Sequence, residues 1–229
     1  MLQANSINSL GLKDYQVPHV KSLVDSLYSN RVAADLSDTG IGKTYAGAGV
    51  AREMNLPVFV VCPKIVIPVW NRILNNFGVN PIDVVNYEKI GRGNTPYLKW
   101  ARNDKKEWEC RFKKIPSNTL MIFDEVHKAK SFISLNSQMV ISAKQQGFKI
   151  LALSASIATN PMEMMAFGLL TGLHNHTDRN IFKRDFCANH GCFWTGKFGQ
   201  MTFETESKEA HEAMVRINKY LFEERKIAS

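Results

Sequence analysis

No apolar run in this sequence approaches the ~20 residues that a membrane-spanning helix needs, and no charged-then-apolar leader opens the chain. Its four cysteines include no Cys-x2-Cys pair, the spacing of common zinc modules. Cys187 and Cys192 flank His190, and His174 and His176 are nearby in the sequence. These side chains could form a zinc site, but free, reduced cysteines fit the spacing better. We therefore expect a soluble, unexported protein without a membrane partner, in a reducing compartment that is cytoplasmic, nuclear or nucleoid.

Internal repeats and low-complexity linkers are also absent, and 229 residues with 45% apolar content can bury one substantial core. Strand and helix patterns alternate along the chain, which predicts an α/β fold with a doubly wound, mainly parallel sheet. The predicted strands cover 32–36, 58–62, 84–87, 120–123 and 149–154, and the predicted helices cover 15–28, 43–53, 68–77 and 136–146, with a further helix opened by Asn160-Pro161 and Glu163. We expect one domain over residues 1–180, followed by an extension over 181–229 that contains a hairpin and a long amphipathic helix.

The segment that follows the first predicted strand has the form of a phosphate-binding loop. It ends in Gly-Lys-Thr and leads into a helix, so that backbone N–H groups and the positive helix end point at phosphate oxygens. Lys43 is expected to reach the β- and γ-phosphates, and the Thr44 hydroxyl to hold Mg²⁺. The strict pattern has glycine where this chain has Ser37. The nucleotide-binding residues expected from the loop are Thr39, Gly40, Ile41, Gly42, Lys43 and Thr44.

Two adjacent carboxylates complete this candidate ATP site. Asp124 and Glu125 follow the apolar run of residues 120–123, a predicted buried strand, and open α/β sheets bind ligands at the carboxyl ends of their strands. Asp124 can hold Mg²⁺, partly through water, and Glu125 can orient the water that attacks the γ-phosphate. A strand ending in a solvated acidic turn is the alternative. Together with the upstream loop, the pair predicts an ATP hydrolase whose catalytic residues are Glu125, Asp124 and Lys43.

Most of the net charge of +8 is concentrated in one segment. Between Lys89 and Lys114 there are nine basic and three acidic side chains, interleaved with four aromatic residues. Such a mixture suits phosphate contacts and base stacking on nucleic acid. In the alternative interpretation Thr95-Pro96 starts a helix, the aromatic residues form its buried face, and the charges form a solvated face. The sequence leaves both open.

Six segments in a fixed order resemble the first RecA-like lobe of superfamily 2 helicases, and most of all the Swi/Snf-type DNA translocases. The match runs from about residue 12 to residue 175, and nothing beyond residue 180 is recognised. Departures are Ser37 in the phosphate loop and Ser-Ala-Ser where Ser-Ala-Thr or Thr-Gly-Thr is usual. The matching segments are Leu12-Lys13-Asp14-Tyr15-Gln16, residues 37–44, residues 58–64 with Val69-Trp70, Asn86-Tyr87-Glu88, the DExH box Asp124-Glu125-Val126-His127, and residues 153–161.

The resemblance implies roles for residues that the chemistry alone does not assign. Gln16 would read the adenine edge, with Tyr15 close to the base. The side chains implied to lie near the nucleic-acid backbone are Lys64, Trp70 and Tyr87, and those implied to couple the γ-phosphate state to nucleic-acid grip are His127, Ser154 and Ser156.

The second lobe of this family carries an arginine finger in a Gln-x-x-Gly-Arg-x-x-Arg pattern, which this sequence lacks. Such a finger is worth ~10³–10⁵ in rate, so the chain alone should bind nucleotide poorly and hydrolyse it slowly. We expect a partner lobe in the same or another chain, ATP and Mg²⁺ as cofactors, and nucleic acid as the partner, DNA more than RNA. The alternatives are an RNA helicase lobe and a non-motor P-loop module used for docking or regulation.

Overall fold

The computed structural model describes residues 11–102, 108–130, 134–156, 158–195 and 200–228. Its centre is a five-stranded, all-parallel sheet in the order β1-β7-β6-β2-β3. The strands of this sheet are β1 Val32–Asp35, β2 Val58–Cys62, β3 Asp83–Asn86, β6 Leu120–Asp124 and β7 Lys149–Leu153.

Helices cover both faces of the sheet, as the strand sequences require. β2 and β6 are buried along their whole length, and apolar residues point to both sides of them. One face packs against α1 Gln16–Asn30, α2 Lys43–Met54 and α3 Ile67–Asn76. The other face packs against α5 Leu135–Gln145 and α6 Met165–Thr171. The predicted doubly wound α/β class is therefore confirmed.

The strand predicted over 84–87 is displaced by one residue. β3 ends at Asn86, and Tyr87 begins the short helix α4 Tyr87–Gly91. The Asn86 side chain causes this early stop, because its Oδ1 accepts a hydrogen bond from Lys89 N at 2.6 Å and so caps the helix. Tyr87 consequently turns inward under the sheet edge.

Over the described residues 95–102 and 108–114, the basic segment does not form the helix expected from Thr95-Pro96, so that alternative was wrong. It contains an antiparallel ribbon of two strands, β4 Leu98–Arg102 and β5 Trp108–Phe112. Leu98 and Phe112 are buried in the core, while the alternate positions carry exposed side chains. The sequence 103–107 between the strands, which includes Lys105 and Lys106, lies outside the described residues.

The predicted helix at Asn160-Pro161 begins more tightly than expected. Residues Pro161–Met164 form a 3-10 turn, and α6 follows it. Glu163 accepts a hydrogen bond from Thr159 N at 2.7 Å, which is half of a capping box, but the Asn160 side chain makes no capping bond.

The C-terminal part of the chain contains the predicted hairpin and helix. α7 Arg179–Ile181 continues as a π-helical stretch, Phe182–Cys187, and the hairpin pairs β8 Phe193–Thr195 with β9 Gln200–Thr202. α8 Lys208–Lys219 follows and also ends in a π-helical turn. Phe182, Phe186 and Leu221 belong to the same apolar layer as the sheet. The division at residue 180 remains a prediction.

The segment after α8 returns to the free side of β1. Ala34 N donates a hydrogen bond to Ile227 O at 2.8 Å, and Ala228 forms an isolated parallel bridge to Ala34. Within the described ranges, none of the helices is both long enough and apolar enough to cross a membrane.

Candidate nucleotide site and its supports

The predicted nucleotide residues meet at one edge of the sheet. The phosphate loop follows β1, Asp124 ends β6, and Ser154 follows β7, and these three strands are neighbours in the order β1-β7-β6. Parallel neighbours bring their carboxyl ends to the same edge. The fold therefore places the loop beside the carboxylates although about 80 residues separate them in sequence.

Glycine is required at the end of the phosphate loop. Gly42 has φ 94° and immediately precedes α2, and a Cβ there would lie 2.7 Å from Gln16 Nε2. Gly40 also has a positive φ, 83°, but its surroundings are open. Gly42 thus allows α1 to approach the loop closely while the loop turns into the helix.

Lys43 lies folded back onto its own loop. Its Nζ donates hydrogen bonds to Ser37 O at 2.8 Å and to Asp38 O at 2.9 Å. These two bonds use two of the three donors of the ammonium group, so one N–H stays available for a phosphate oxygen. The structure therefore shows a partly buried lysine that is held within its own loop.

The residues predicted to recognise adenine contact the same loop. The Gln16 amide is buried, and its Nε2 donates to Ile41 O at 3.2 Å and Gly42 O at 3.3 Å. The Tyr15 hydroxyl donates to Ile41 O at 3.1 Å. A cleft of about 170 Å³ opens between these side chains and Lys43. Tyr15 and Gln16 thus contact the phosphate loop, and their role toward adenine stays a prediction.

Asp124 is held by two large buried side chains. Trp70 Nε1 donates to its Oδ2 at 2.8 Å, and the Tyr87 hydroxyl donates to its main-chain oxygen at 2.8 Å. Burial raises the pKa of Asp124, and the bond from Trp70 opposes that rise. Burial also raises the pKa of Tyr87, so its phenol stays a hydrogen-bond donor. The carboxylate that would hold Mg²⁺ is therefore fixed before any ligand arrives.

These contacts correct the roles expected for two residues. Trp70 is 0% exposed and Tyr87 is 2% exposed, so neither side chain presents a surface to nucleic acid. Lys64, at the start of the exposed 3-10 turn Lys64–Val66, is the one of the three predicted backbone contacts that reaches the surface. The hydrogen bond from Trp70 to Asp124 was not predicted from the sequence, because the two residues lie 54 positions apart along the chain.

Glu125 adopts a backbone conformation that non-glycine residues seldom occupy. Its φ is 57° and its ψ is 49°, in the left-handed region, immediately after β6. Strain of this kind costs ~1–3 kcal/mol and persists where the surrounding structure imposes it. Because of this turn the two adjacent carboxylates lie in different surroundings: Asp124 is buried and Glu125 is half-buried.

His127 links the DExH segment to the residues after β7. Its Nδ1 lies 3.1 Å from Ser154 Oγ and 3.0 Å from Glu125 Oε2. The Ser154 hydroxyl donates to Ser156 O at 2.6 Å, so its oxygen is the acceptor toward His127. Nδ1 therefore carries the proton and shares it between Glu125 and Ser154. This connects the three residues predicted to couple nucleotide state to nucleic-acid grip.

A second polar cluster under the loop was not predicted. Asp35, the last residue of β1, is 1% exposed, and its Oδ1 accepts hydrogen bonds from Ser37 N, at 3.1 Å, and from Ser37 Oγ. His19 Nε2 lies 3.1 Å from Asp35 Oδ2. Burial would raise the pKa of Asp35, but the bonds from His19 and Ser37 outweigh it and the pKa is lowered. The sequence signal was an acidic residue at the end of an apolar strand.

The donors at the sheet edge suit Mg²⁺ rather than zinc. Thr44 and Asp124 supply oxygen atoms, and nucleotide phosphates would supply the rest. Among the residues that the structure describes, no three His, Cys, Asp or Glu side chains converge as a metal-binding group. His174, part of the drawn zinc site, is instead buried: its ring stacks on His176, and burial lowers its pKa to about 4.

Comparison with known proteins gives a related sequence and structures of similar fold. No family model matches the chain. A protein of Acanthamoeba polyphaga mimivirus with the provisional name ATP-dependent RNA helicase L364 is 34% identical over 193 residues, which are 77% of this chain and 36% of that protein. The chain thus spans about a third of the length of this relative.

One solved structure of similar fold is the SWI2/SNF2 ATPase core of Sulfolobus solfataricus in complex with dsDNA. The TM-score is 0.54 at 17% identity, and the alignment covers 78% of this chain and 39% of that chain. Together with the viral relative, it confirms the predicted resemblance to a superfamily 2 helicase/translocase motor lobe of RecA-like fold.

Proposed function

We propose that this chain, which resembles a superfamily 2 helicase/translocase motor lobe, is the N-terminal ATP-binding lobe of an ATP-dependent DNA helicase or translocase. It would couple ATP hydrolysis to movement on nucleic acid. The observation that carries the proposal is the convergence of the Lys43 loop, the Asp124 and Glu125 carboxylates and the His127–Ser154 contact at one sheet edge. A strand that merely ended in a solvated acidic turn would not bury Asp124 against Trp70.

Phosphate binding would begin at the loop. Lys43 donates its remaining N–H to a phosphate oxygen, and backbone N–H groups at the start of α2 complete the cradle. Thr44 and Asp124 would hold Mg²⁺, and its positive charge would offset the negative charge of the phosphates. Tyr15 and Gln16, at the mouth of the same loop, border the position of the adenine.

The chemical step would fall to Glu125. It orients the attacking water and takes up its proton, while Asp124 remains ionised at the metal. The Nδ1 proton of His127, shared between Glu125 and Ser154, would change partners when Glu125 changes charge. Ser154 leads directly to the segment 155–161, so this contact offers a route from nucleotide state to the rest of the lobe.

A second RecA-like lobe is part of the proposal. The viral relative is about three times as long as the matched region, which leaves room for such a lobe in that protein. Without the arginine finger that a second lobe supplies, turnover by this chain should be slow. Lys64 on its exposed turn is the proposed backbone contact among the motif residues.

Two alternatives remain distinguishable by experiment. The provisional name of the viral relative favours RNA, whereas the similar fold was solved with dsDNA. A non-motor docking or regulatory module would have no use for a buried, tryptophan-bonded Asp124 beside a phosphate loop.

The test measures ATP hydrolysis by the two-lobed protein alone, with a DNA duplex, and with an RNA duplex of the same sequence. Greater stimulation by DNA supports the proposal, and greater stimulation by RNA replaces it with the RNA helicase alternative. Absence of Mg-ATP binding in a calorimetric titration would overturn the motor assignment itself.

A further inference from the structure

The ribbon formed by β4 and β5 lies along α5 and points toward the nucleotide edge of the sheet. Ser142 Oγ donates to Cys110 O at 2.6 Å, and Trp108 lines a cleft of about 340 Å³ together with Leu135. The Phe112 ring packs on Phe148, just past the C-terminal end of α5, with centroids 6.1 Å apart. From Phe112 through Cys110 to Trp108 the strand thus runs back toward the start of α5, the helix end that follows β6. The Trp108 end of the ribbon is therefore the end closest to the edge that carries Asp124.

The outward face of the ribbon places like charges opposite each other. Lys99 pairs with Arg111 in the antiparallel register, and both side chains are exposed, on the face opposite to Leu98 and Phe112. Directly opposed side chains have Cβ atoms ~4.5–5.5 Å apart, and like charges there destabilise the pair. Over the described ranges neither cation forms an ion pair. The same face also carries the Glu109 carboxylate, two positions before Arg111, so its cations exceed its anions and a bound anion would reduce the repulsion between Lys99 and Arg111.

A further cation extends this row. Lys113 follows Arg111 by two positions, so it continues the same side of the strand, and its backbone N donates to Tyr97 O at 2.8 Å. The Arg102 guanidinium, which lies 5.1 Å from the ring centre of Trp108, belongs to the other face, because Arg102 stands four residues from Leu98 and Trp108 four residues from Phe112. The outward row of cations therefore consists of Lys99, Arg111 and Lys113.

A polyanion fits this face better than a single acidic side chain does. Residues two apart on a strand are ~6.6–6.8 Å apart, so Arg111 and Lys113 cannot both be neutralised by one carboxylate at contact distance. Repeated negative charges along one direction satisfy the row, and a nucleic-acid strand supplies them.

We propose that the outward face of the β4–β5 ribbon, with Lys99, Arg111 and Lys113 as phosphate contacts, is a second nucleic-acid contact surface. It lies apart from the motif turn at Lys64. This inference rests on the proposed function, because it supplies the grip of the same motor lobe.

The test is the affinity of the 229-residue chain for a short fluorescein-labelled DNA duplex, measured by anisotropy between ~50 and ~200 mM salt. The variants are Lys99→Glu and Arg111→Glu, with Lys21→Glu as the matched control, an exposed lysine of α1 on the opposite face of the sheet. Each ribbon variant should weaken binding and reduce the slope of log affinity against log salt by ~0.7–0.9 per lost contact. The control changes net charge equally and should keep the wild-type slope.

Thermal stability separates lost contacts from misfolding. Lys99→Glu replaces a like-charged pair with an opposite-charged one, so its melting temperature should equal or exceed that of the wild type while its affinity falls. Slopes for both ribbon variants that match Lys21→Glu overturn the ribbon inference and leave the proposed function intact. A wild-type chain with no measurable affinity for DNA or for the matched RNA duplex also overturns the ribbon inference, whereas the proposed function is decided by the ATPase test of the two-lobed protein.

Discussion

The nucleotide edge of the sheet and the outward face of the ribbon hold their charges in opposite ways. Asp124 is 8% exposed and bonded to Trp70, whereas Lys99 and Arg111 are exposed and opposed to each other. At the edge, hydrogen bonds fix a carboxylate before its ligand arrives, and this lowers the cost of ordering it later. On the ribbon, repulsion is left unrelieved. Substitutions at the edge should therefore cost activity or stability, and substitutions on the ribbon should cost affinity alone.

The largest effect is expected at Glu125. Glu125→Gln keeps the shape and the contact toward His127 but loses the base, so turnover in the two-lobed protein should fall by ~10²–10⁴ while Mg-ATP still binds. Steady-state ATPase assays and calorimetry measure the two properties separately. Glu88→Gln, at an exposed position of α4, is the control and should behave as the wild type. Wild-type turnover in Glu125→Gln would assign the base to another residue.

Loss of nucleotide binding should follow from Lys43→Ala. Each charge-assisted hydrogen bond to phosphate is worth ~1.5–3 kcal/mol, so the loss of one or two such bonds weakens Mg-ATP binding by ~10-fold or more. The fold should survive, because the two bonds that Lys43 makes in the free chain are to loop carbonyls near the surface. Calorimetric titration with Mg-ATP measures this, with Lys21→Ala as the control. If Lys43→Ala binds Mg-ATP as tightly as the wild type, the phosphate-loop assignment is wrong.

The same two regions show what sequence could and could not reveal. Lys43, Thr44 and Asp124 were predictable, because each stands in a local pattern whose backbone geometry follows from a few neighbouring residues. The support from Trp70 was not, since it depends on α3 packing against β6 across 54 residues of sequence. In the ribbon, Trp100 and Trp108 fitted a helical spacing, but the segment instead forms two strands that pair within the range Leu98 to Phe112.

A moderate loss of stability is expected when Asp124 loses its donor. Trp70→Phe fills most of the same space but leaves a buried carboxylate oxygen unbonded, which costs ~1–3 kcal/mol of unfolding free energy. Denaturant unfolding measures it. Trp108→Phe makes the same change on the exposed ribbon and should stay within ~0.5 kcal/mol of the wild type. Equal losses in the two variants would contradict the contrast between the regions.

The Asp35 cluster predicts a pH dependence of defined sign. Its pKa is lower in the folded chain than in the unfolded chain, so its stabilising contribution is complete above the unfolded value of ~3.9 and is lost as pH falls through the folded value. Asp35→Asn removes this contribution, so the wild type should lose its advantage over the variant in acid. Denaturant unfolding across this range tests it, and a constant difference between the two proteins would rule out Asp35 as the source.

The smallest effect is expected on the ribbon. Lys99→Gln removes one member of the like-charged pair without adding a charge, so unfolding free energy should rise by ~0.2–1 kcal/mol at low salt. The gain should shrink at ~1 M salt, where the Debye length of ~3 Å is shorter than the separation of the opposed side chains. Lys21→Gln controls for the change in net charge and should show neither the gain nor its salt dependence. A gain in Lys99→Gln that salt leaves unchanged would mean that strand propensity, rather than relief of repulsion from Arg111, produced it.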